Sequence, residues 1–316
     1  MISILMATYN GEDYLAEQLD SLLNQTFQDF KLILNDDNST DNTLSIAQGY
    51  AEKYPGKIYV TQNEINTGSA KNNFFDMILR YKNECDYFML CDQDDVWLPE
   101  KIEKSYNKIE EMEQMYGSSV PILVHTDLTV VDNNLNVISP SYEKMAHTRF
   151  ANNKLNNLIT MNVAAGCTSI FNKALVSFID RKPDFVVMHD WWLALVATSF
   201  GKIATIYEPT ILYRQHKRNE LGAKKVLSLW YIRYFLTHME TIAEKVNNSY
   251  KQAESFLSYY YDKLSDEQRN FLKTYASIPK LSKLQKIRTT AKLNAKMYGL
   301  SRRFARTIVI LTERQS

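Results

Sequence analysis

The chain has 316 residues, 45% of them hydrophobic and 23% charged, with a formal net charge of +1. That length suits one large domain, or a domain with an appendage, and supplies enough apolar residues for a sizeable core. A near-neutral balance gives no global field for nucleic acid, and three scattered cysteines with no CxxC pair suggest neither a disulfide framework nor a cysteine–zinc site, so a reducing cytoplasm is the simplest setting. The opening MISILMATYNGEDYL lacks a basic n-region and a long apolar h-region, so no signal peptide is expected. No stretch approaches the roughly 20 apolar residues of a membrane span, which predicts a soluble or peripheral protein.

The first half alternates two patterns. Residues 2–8 (ISILMAT) read as a buried strand, and 12–25 carry Leu15, Leu19, Leu22 and Leu23 at helical spacing. Residues 30–37 (FKLILNDD) are a second strand. Residues 41–54 are a second helix, with Ser39 or Asp41 available as its cap. A third strand (57–63), a third helix (70–82) and a fourth strand (86–90) follow. Strict alternation predicts parallel strands joined by crossover helices, an α/β sheet of doubly wound, Rossmann-like type. Ligands of such sheets bind beyond the carboxyl ends of the strands. Those ends read ATYN (7–10), NDDNSTD (35–41), NEINTGS (63–69) and CDQDD (91–95), all rich in small, acidic or glycine residues.

Beyond residue 100 the pattern loosens. Residues 120–132 look like one or two strands, and 161–175 carry a glycine among small residues. Residues 188–201 are an apolar helix opening with His189 and Asp190, and 202–216 are a strand pair interrupted by Pro209. From about Ala223 the pattern is helical and aromatic-rich.

Asp92, Asp94 and Asp95 stand directly after the apolar run YFML. Carboxylates so close repel one another unless a positive charge sits between them. Mg²⁺ or Mn²⁺ prefers oxygen ligands and bridges one or two carboxylates to substrate phosphates. The alternative is a solvated acidic turn capping the next helix, but the position after a buried strand favours the cation.

The segments ILMATYNGEDYLAEQLDSLLNQTFQDFKLILNDDNSTDNT, NTGSAKNN and CDQDDVWLP, in this order and spacing, resemble the family 2 glycosyltransferases of GT-A fold. The similarity spans roughly residues 1–220. HDWWLALVA followed by EPTILYRQH is most similar to the bacterial rhamnosyltransferase branch, which builds cell-wall and capsular polysaccharides. The resemblance implies a GT-A catalytic domain over 1–220, with its nucleotide half about 1–100 and acceptor half about 101–220. A helical region over 221–316 follows.

The resemblance also implies roles for single residues. Ala7 and Tyr9 match positions that line the pyrimidine pocket, where an aromatic ring can stack on a base. Asp37 matches the acceptor for the base ring N–H; a helix-capping role is its alternative. Lys71 stands where a basic residue faces the diphosphate, or else on a solvated helix face. Asp92 matches the nucleotide-side acid and Asp94 the metal ligand, with Asp95 supporting them. Asp190 matches the general base, which takes the acceptor's proton; the same position would suit an N-cap. His216 completes the metal site or touches the diphosphate. Trp191 and Trp192 offer an apolar platform to an acceptor sugar, or fill a buried helix face. QxxRW, the mark of processive synthases, is absent, so a non-processive enzyme follows.

The implied reaction is an inverting, divalent-cation-dependent transfer onto a saccharide or lipid-linked acceptor. dTDP-rhamnose is the first choice of donor and a UDP-sugar the second. A nucleotidyltransferase is the rival enzyme; it would show a glycine- and basic-rich loop where ATYNGEDYL stands. A catalytically silent sugar-nucleotide-binding protein would not need both Asp94 and Asp190. Residues 279–312 hold nine Lys or Arg and no acid. A basic amphipathic helix there suits an anionic membrane surface on the cytoplasmic face, or else packs on the catalytic domain. Tyr259, Tyr260 and Tyr261, with Trp230, Tyr231, Tyr234 and Phe235, pack the appendage or form a homodimer contact.

Overall fold

The computed structural model of the chain describes residues 1–216 and 239–312. They form two compact units, one from residues 1–142, 164–182 and 201–216, the other from 143–163, 183–200 and 239–312. Trp230, Tyr231, Tyr234 and Phe235 lie outside the described residues.

The first unit carries a nine-stranded sheet. Its opening half is β1 (Ile2–Thr8), α1 (Leu15–Leu23), β2 (Phe30–Asp36), α2 (Thr43–Lys53), β3 (Ile58–Gln62), α3 (Ala70–Tyr81) and β4 (Tyr87–Cys91). The strands β3, β2, β1 and β4 lie side by side and parallel. Helices cover both faces of a parallel sheet, so its strands read as continuous apolar runs; all seven residues of β1 are buried. The sequence boundaries fall within three residues of the observed ones. Helix α1 starts latest, because the chain over residues 12–14 is still leaving the strand-end loop.

The rest of the sheet is β5 (Val96–Trp97), then α4 (Lys101–Tyr116), β6 (Ile122–Val131), β7 (Val137–Ser139), β8 (Ser169–Asn172) and β9 (Lys202–Arg214). Here antiparallel neighbours enter the sheet, which stays mostly parallel as expected. The short β8 inserts antiparallel between β4 and β6, and β5 pairs antiparallel with β9. Residues 120–132 are one strand, β6, and residues 202–214 are also one strand rather than a pair. Pro209 does not end β9. It shifts the ladder, so that Thr126 faces Ile206 while Asp127 faces Pro209. Proline has no N–H to give the ladder, and a bulge accommodates it. The sheet is therefore mixed but mostly parallel, and β9 runs on past the bulge to deliver Arg214 and His216 to the end of β4.

The second unit is helical: α5 (His189–Phe200), α6 (Met239–Tyr259), α7 (Asp266–Ser277), α8 (Lys283–Lys292) and α9 (Leu300–Thr312). Trp192 is wholly buried among Phe256, Tyr259 and Tyr260. Helix α7 starts with a complete capping box between Ser265 and Gln268. Arg306 is buried between Tyr250 and Tyr275 and donates to the Ala295 carbonyl at 2.7 Å.

Candidate active site

The loops after β1, β2, β3 and β4 meet at one end of the first unit's sheet, and side chains stitch them together. Asp36, the last residue of β2, is fully buried. It accepts from Thr8 Oγ1 at 3.1 Å, from Ser39 Oγ at 2.5 Å and from the Ser39 amide at 2.8 Å. Asp37 follows and is 3% exposed. Its Oδ1 accepts from Asn63 Nδ2 at 2.7 Å and the Thr67 amide at 2.9 Å, and its Oδ2 from Thr67 Oγ1 at 2.7 Å. One acceptor direction on Oδ2 is left by this set, since a carboxylate offers about four. Asn63 is itself held by Asn35, whose amide also engages Asn73. Lys71 sits half-buried in the first turn of α3, a helix capped by Ser69.

Ala7 is buried within β1, and Tyr9 is 49% exposed just beyond it. The Tyr9 main chain pairs with a side chain: its N–H donates to Gln93 Oε1 at 2.9 Å, and Gln93 Nε2 donates to its carbonyl at 3.0 Å. Gln93 lies between the two acids of Asp92-Gln93-Asp94 and thus ties the β4 loop to the β1 loop. A Cβ at Gly11 would sit 2.3 Å from Gln93 Oε1, so any side chain there would have to displace the Gln93 amide.

At the end of β4, Asp94 Oδ2 lies 2.7 Å from His216 Nε2. The His216 ring stacks on Tyr14, with centroids 5.0 Å apart. Arg214 organises the same corner. Its Nε donates to the Asp94 carbonyl at 2.9 Å, its Nη1 to the Asn133 carbonyl at 2.6 Å, and its Nη2 pairs with Glu17. Its amide donates to Asp95 Oδ1 at 3.1 Å, and its guanidinium lies over Tyr14. A cleft of about 480 Å³ beside this corner is lined by Asp132, Asn133, Asn134, Gln215 and His216.

Asp95 is fully buried, and its Oδ2 has no hydrogen-bond partner. Burial, with Asp94 and Asp92 beside it, pushes its carboxyl well above the usual range. The ligand atoms of Asp92, Asp95 and Cys167 all lie within 4.8 Å of one another. Burial also pushes the Cys167 thiol up, which leaves a neutral sulfur and makes the carboxylate oxygens the stronger donors. Carboxyl oxygens suit a hard divalent cation, whose charge would offset the repulsion that raises Asp95, so the residues fit such an ion. Asp94 turns toward His216, whereas Asp95 turns inward toward Cys167.

Asp190 lies in the first turn of α5, in the second unit, and its Oδ1 accepts the Trp191 amide at 2.6 Å. Trp191 is half-buried and donates through Nε1 to the Leu158 carbonyl at 2.5 Å. Trp192 fills the helix-packing role, which leaves Trp191 as the ring with an accessible surface. Gln93, Gly11 and Arg214 were not singled out by sequence reasoning. Arg214 had a faint signal, as a cation close in sequence to His216; Gln93 and Gly11 had none, because their roles exist only across loops.

The model of glycosyl transferase family 2 matches residues 3–178. Over 227 residues the chain is 31% identical to the dTDP-rhamnosyl transferase RfbG of Shigella flexneri, covering 69% of this chain and 74% of that protein. A shorter match of 112 residues, 38% identical, joins 35% of this chain to 17% of the poly(ribitol-phosphate) beta-glucosyltransferase of Bacillus spizizenii (strain ATCC 23059 / NRRL B-14472 / W23). Among solved structures, S. aureus TarS 1–349 in complex with UDP-GlcNAc superposes with a TM-score of 0.55 at 19% identity, covering 98% of this chain and 88% of that one. The chain belongs to glycosyl transferase family 2. Its fold is GT-A, and it is a glycosyltransferase.

Proposed function

We propose that this protein is an inverting rhamnosyltransferase that moves L-rhamnose from dTDP-rhamnose onto a saccharide or lipid-linked saccharide during surface polysaccharide synthesis. The observation that carries this reading is the 31% identity to a dTDP-rhamnosyl transferase across 69% of the chain. Residues 1–220 are then the catalytic domain and 221–316 its helical appendage.

In this reading Ala7 and Tyr9 border the base, and the remaining acceptor direction of Asp37 Oδ2 takes its ring N–H. Thymine and uracil share that N–H, so a UDP-sugar is the second reading. Asp92 faces the nucleotide side of the donor. Asp94 and His216, supported by Asp95, would hold a Mg²⁺ or Mn²⁺ ion, which when bound supplies positive charge to the diphosphate. Lys71 adds a second positive charge on that side. Asp190 takes the proton from the acceptor hydroxyl as that oxygen bonds to the anomeric carbon and the nucleoside diphosphate leaves from the opposite face. Trp191 offers its ring to the acceptor sugar.

Among the described residues no helix is long and apolar enough to cross a membrane. A cytoplasmic enzyme resting on the inner face of the membrane accords with α8. There Leu284 is 57% and Ile287 37% exposed, next to exposed Lys283, Arg288 and Lys292. Anionic lipid attracts each such cation by about 1 kcal/mol.

The test is Asp190→Asn, assayed for donor affinity by calorimetry and for transfer at saturating acceptor. Asparagine keeps the size and the acceptor for the Trp191 amide, so donor affinity and stability stay. It cannot take a proton, so transfer falls on the order of 10²–10⁴-fold. Transfer within a few-fold of the parent would move the base elsewhere, with Asp127 and Glu208 next to examine. A thermal-shift screen of sugar nucleotides with Mn²⁺ decides between dTDP-rhamnose and UDP-sugars.

A further inference from the structure

We propose that the cleft beside His216 is the subsite for the donor's sugar ring, and that Asn133 and Asn134, on the turn after β6, read the hydroxyls of that ring. This rests on the sugar-nucleotide reading given under Proposed function.

The cleft of about 480 Å³ is bordered by Asp132, Asn133, Asn134, Gln215 and His216, all polar. Its size is that of a small-molecule site, about 300–1,000 Å³, yet such sites are ordinarily lined mostly by apolar side chains. A carboxamide offers two donors and an acceptor. That pattern matches a ring with neighbouring hydroxyls, each of which both donates and accepts. Hydrogen bonds from Asn136 hold the Asp132 carboxyl below its ordinary value, so this wall of the cleft carries a negative charge at neutral pH. The charge disfavours a phosphate, and a neutral sugar is the ligand that fits.

The turn is built before any ligand arrives. Asp132 Oδ1 accepts from the amides of Asn134 and Asn136 at 2.9 Å each, and Oδ2 accepts from Asn136 Nδ2 at 3.0 Å. The Asp132 amide donates to the Asn136 carbonyl at 3.0 Å. Arg214 Nη1 fixes the Asn133 carbonyl, and the Gln215 amide donates to the Val131 carbonyl at 2.9 Å. None of these bonds uses the side chain of Asn133 or Asn134. Both residues are exposed, and neither carboxamide bonds to another described residue. A preformed turn that leaves two amides for a ligand loses little freedom on binding.

The place of the cleft selects the donor's sugar. Strands β4, β6 and β9 run in one direction, since β8 is antiparallel to both β4 and β6, and β9 is parallel to β6. Along the sheet the residues read for the base stand at β2 and β1, Asp94 follows β4, and the cleft lies at the ends of β6 and β9. Base, diphosphate and sugar follow in the same order along a sugar nucleotide. His216 joins the last two places, because it borders the cleft and lies 2.7 Å from Asp94. All the donor-side residues belong to the first unit with the cleft, whereas Asp190 and Trp191, read for the acceptor, belong to the second.

The experiment compares two ligands in calorimetry with Mn²⁺: the sugar nucleotide that the thermal-shift screen selects, and the nucleoside diphosphate of the same base. In Asn133→Ala and Asn134→Ala the sugar nucleotide should bind several-fold more weakly, and in the double variant on the order of 10-fold more weakly. The nucleoside diphosphate should bind as in the parent. The double variant should also discriminate less among sugar nucleotides that share a base. Unchanged affinity for both ligands would make this a solvated turn and overturn the proposal. Equal loss for both would place the effect at the diphosphate or in the fold, and also overturns it. Loss of transfer with both affinities intact would assign the cleft to the acceptor, a third overturning result. Asn133→Ser and Asn134→Ser are the second pair of variants, and failure of both pairs to fold would make these side chains requirements of the turn and overturn the proposal. If the parent binds no sugar nucleotide, the reading under Proposed function falls and takes this one with it, a result distinct from equal binding by parent and variant.

Discussion

Two strands of the same sheet end in adjacent aspartates, and the two endings are built differently. At the end of β2, Asp36 and Asp37 are buried and receive six hydrogen bonds between them, from Thr8, Ser39, Asn63 and Thr67. Ser39 belongs to the same turn, whereas Thr8, Asn63 and Thr67 reach in from the ends of β1 and β3, so these carboxylates hold the strand ends in register. At the end of β4 the donors are few. Asp95 takes one amide and keeps an orphan oxygen, and Asp94 faces a histidine. Equal residue types at equivalent places in the sheet thus do different work. The β2 turn is almost fully satisfied within the protein, whereas the β4 turn gathers carboxyls that repel one another and keeps an oxygen without a partner.

The widest gap between the two turns should appear on removing one carboxylate from each. Asp94→Asn should lose metal-dependent donor binding and turnover. Loss of a cation contribution of several kcal/mol corresponds to on the order of 10²–10³-fold in rate. The same change should leave stability in chelator unchanged or higher, because it relieves repulsion within the turn. Turnover equal to the parent's, measured in chelator, would remove the cation from the mechanism.

Acid sensitivity needs a control outside both turns, and His125 on β6 provides it. Burial pulls this imidazole down to about 4, below its ordinary value of about 6.5. The unfolded chain therefore takes up this proton first as pH falls. The stability linked to His125 is fully present above about pH 6.5 and is lost between there and pH 4, amounting to about 3 kcal/mol. His125→Asn should flatten the stability profile across that window, as read by urea unfolding at a series of pH values. An unchanged slope would assign the acid limb to other groups.

Asp36→Asn tests the completed turn. It exchanges one acceptor oxygen for an NH₂ group that faces donors from Thr8 and Ser39. A buried bond to a charged group contributes about 1.5–3 kcal/mol, so unfolding stability should fall by about 2–3 kcal/mol. Urea denaturation measures it, and a loss as small as that of Asp94→Asn would make the two turns equivalent.

The order of strands, helices and acidic ends was legible because it depends on local periodicity and on the crossover rule. Leu15, Leu19 and Leu22 face inward as their spacing requires. The antiparallel β8 was not legible: four residues carry no period, and their partners β4 and β6 lie far away in sequence. The bulge at Pro209 was readable only as a break, since the ladder that absorbs it comes from β6. In the site, Asp94 and His216 could be read as partners only through resemblance, and the structure brings them to 2.7 Å. Arg214 and Gln93 escaped notice because their significance lies in what faces them: a carbonyl and a backbone edge.

The smallest expected effect concerns the tie between the β1 and β4 loops. A methyl group at Gly11 would meet Gln93 Oε1 at 2.3 Å. The Gln93 amide is the far end of a flexible side chain, so it can move aside, but it then loses both bonds to the Tyr9 main chain. Those bonds are exposed, so Gly11→Ala should cost about 1 kcal/mol, or about 2–4 °C in melting temperature. In a Gln93→Ala background the obstructing atoms are gone, and Gly11→Ala should then be close to neutral. The four proteins of this cycle, melted side by side, read the coupling directly. Equal losses in both backgrounds would mean that Gly11 is needed for its own backbone and that Gln93 does not tie the acidic turn to the β1 loop.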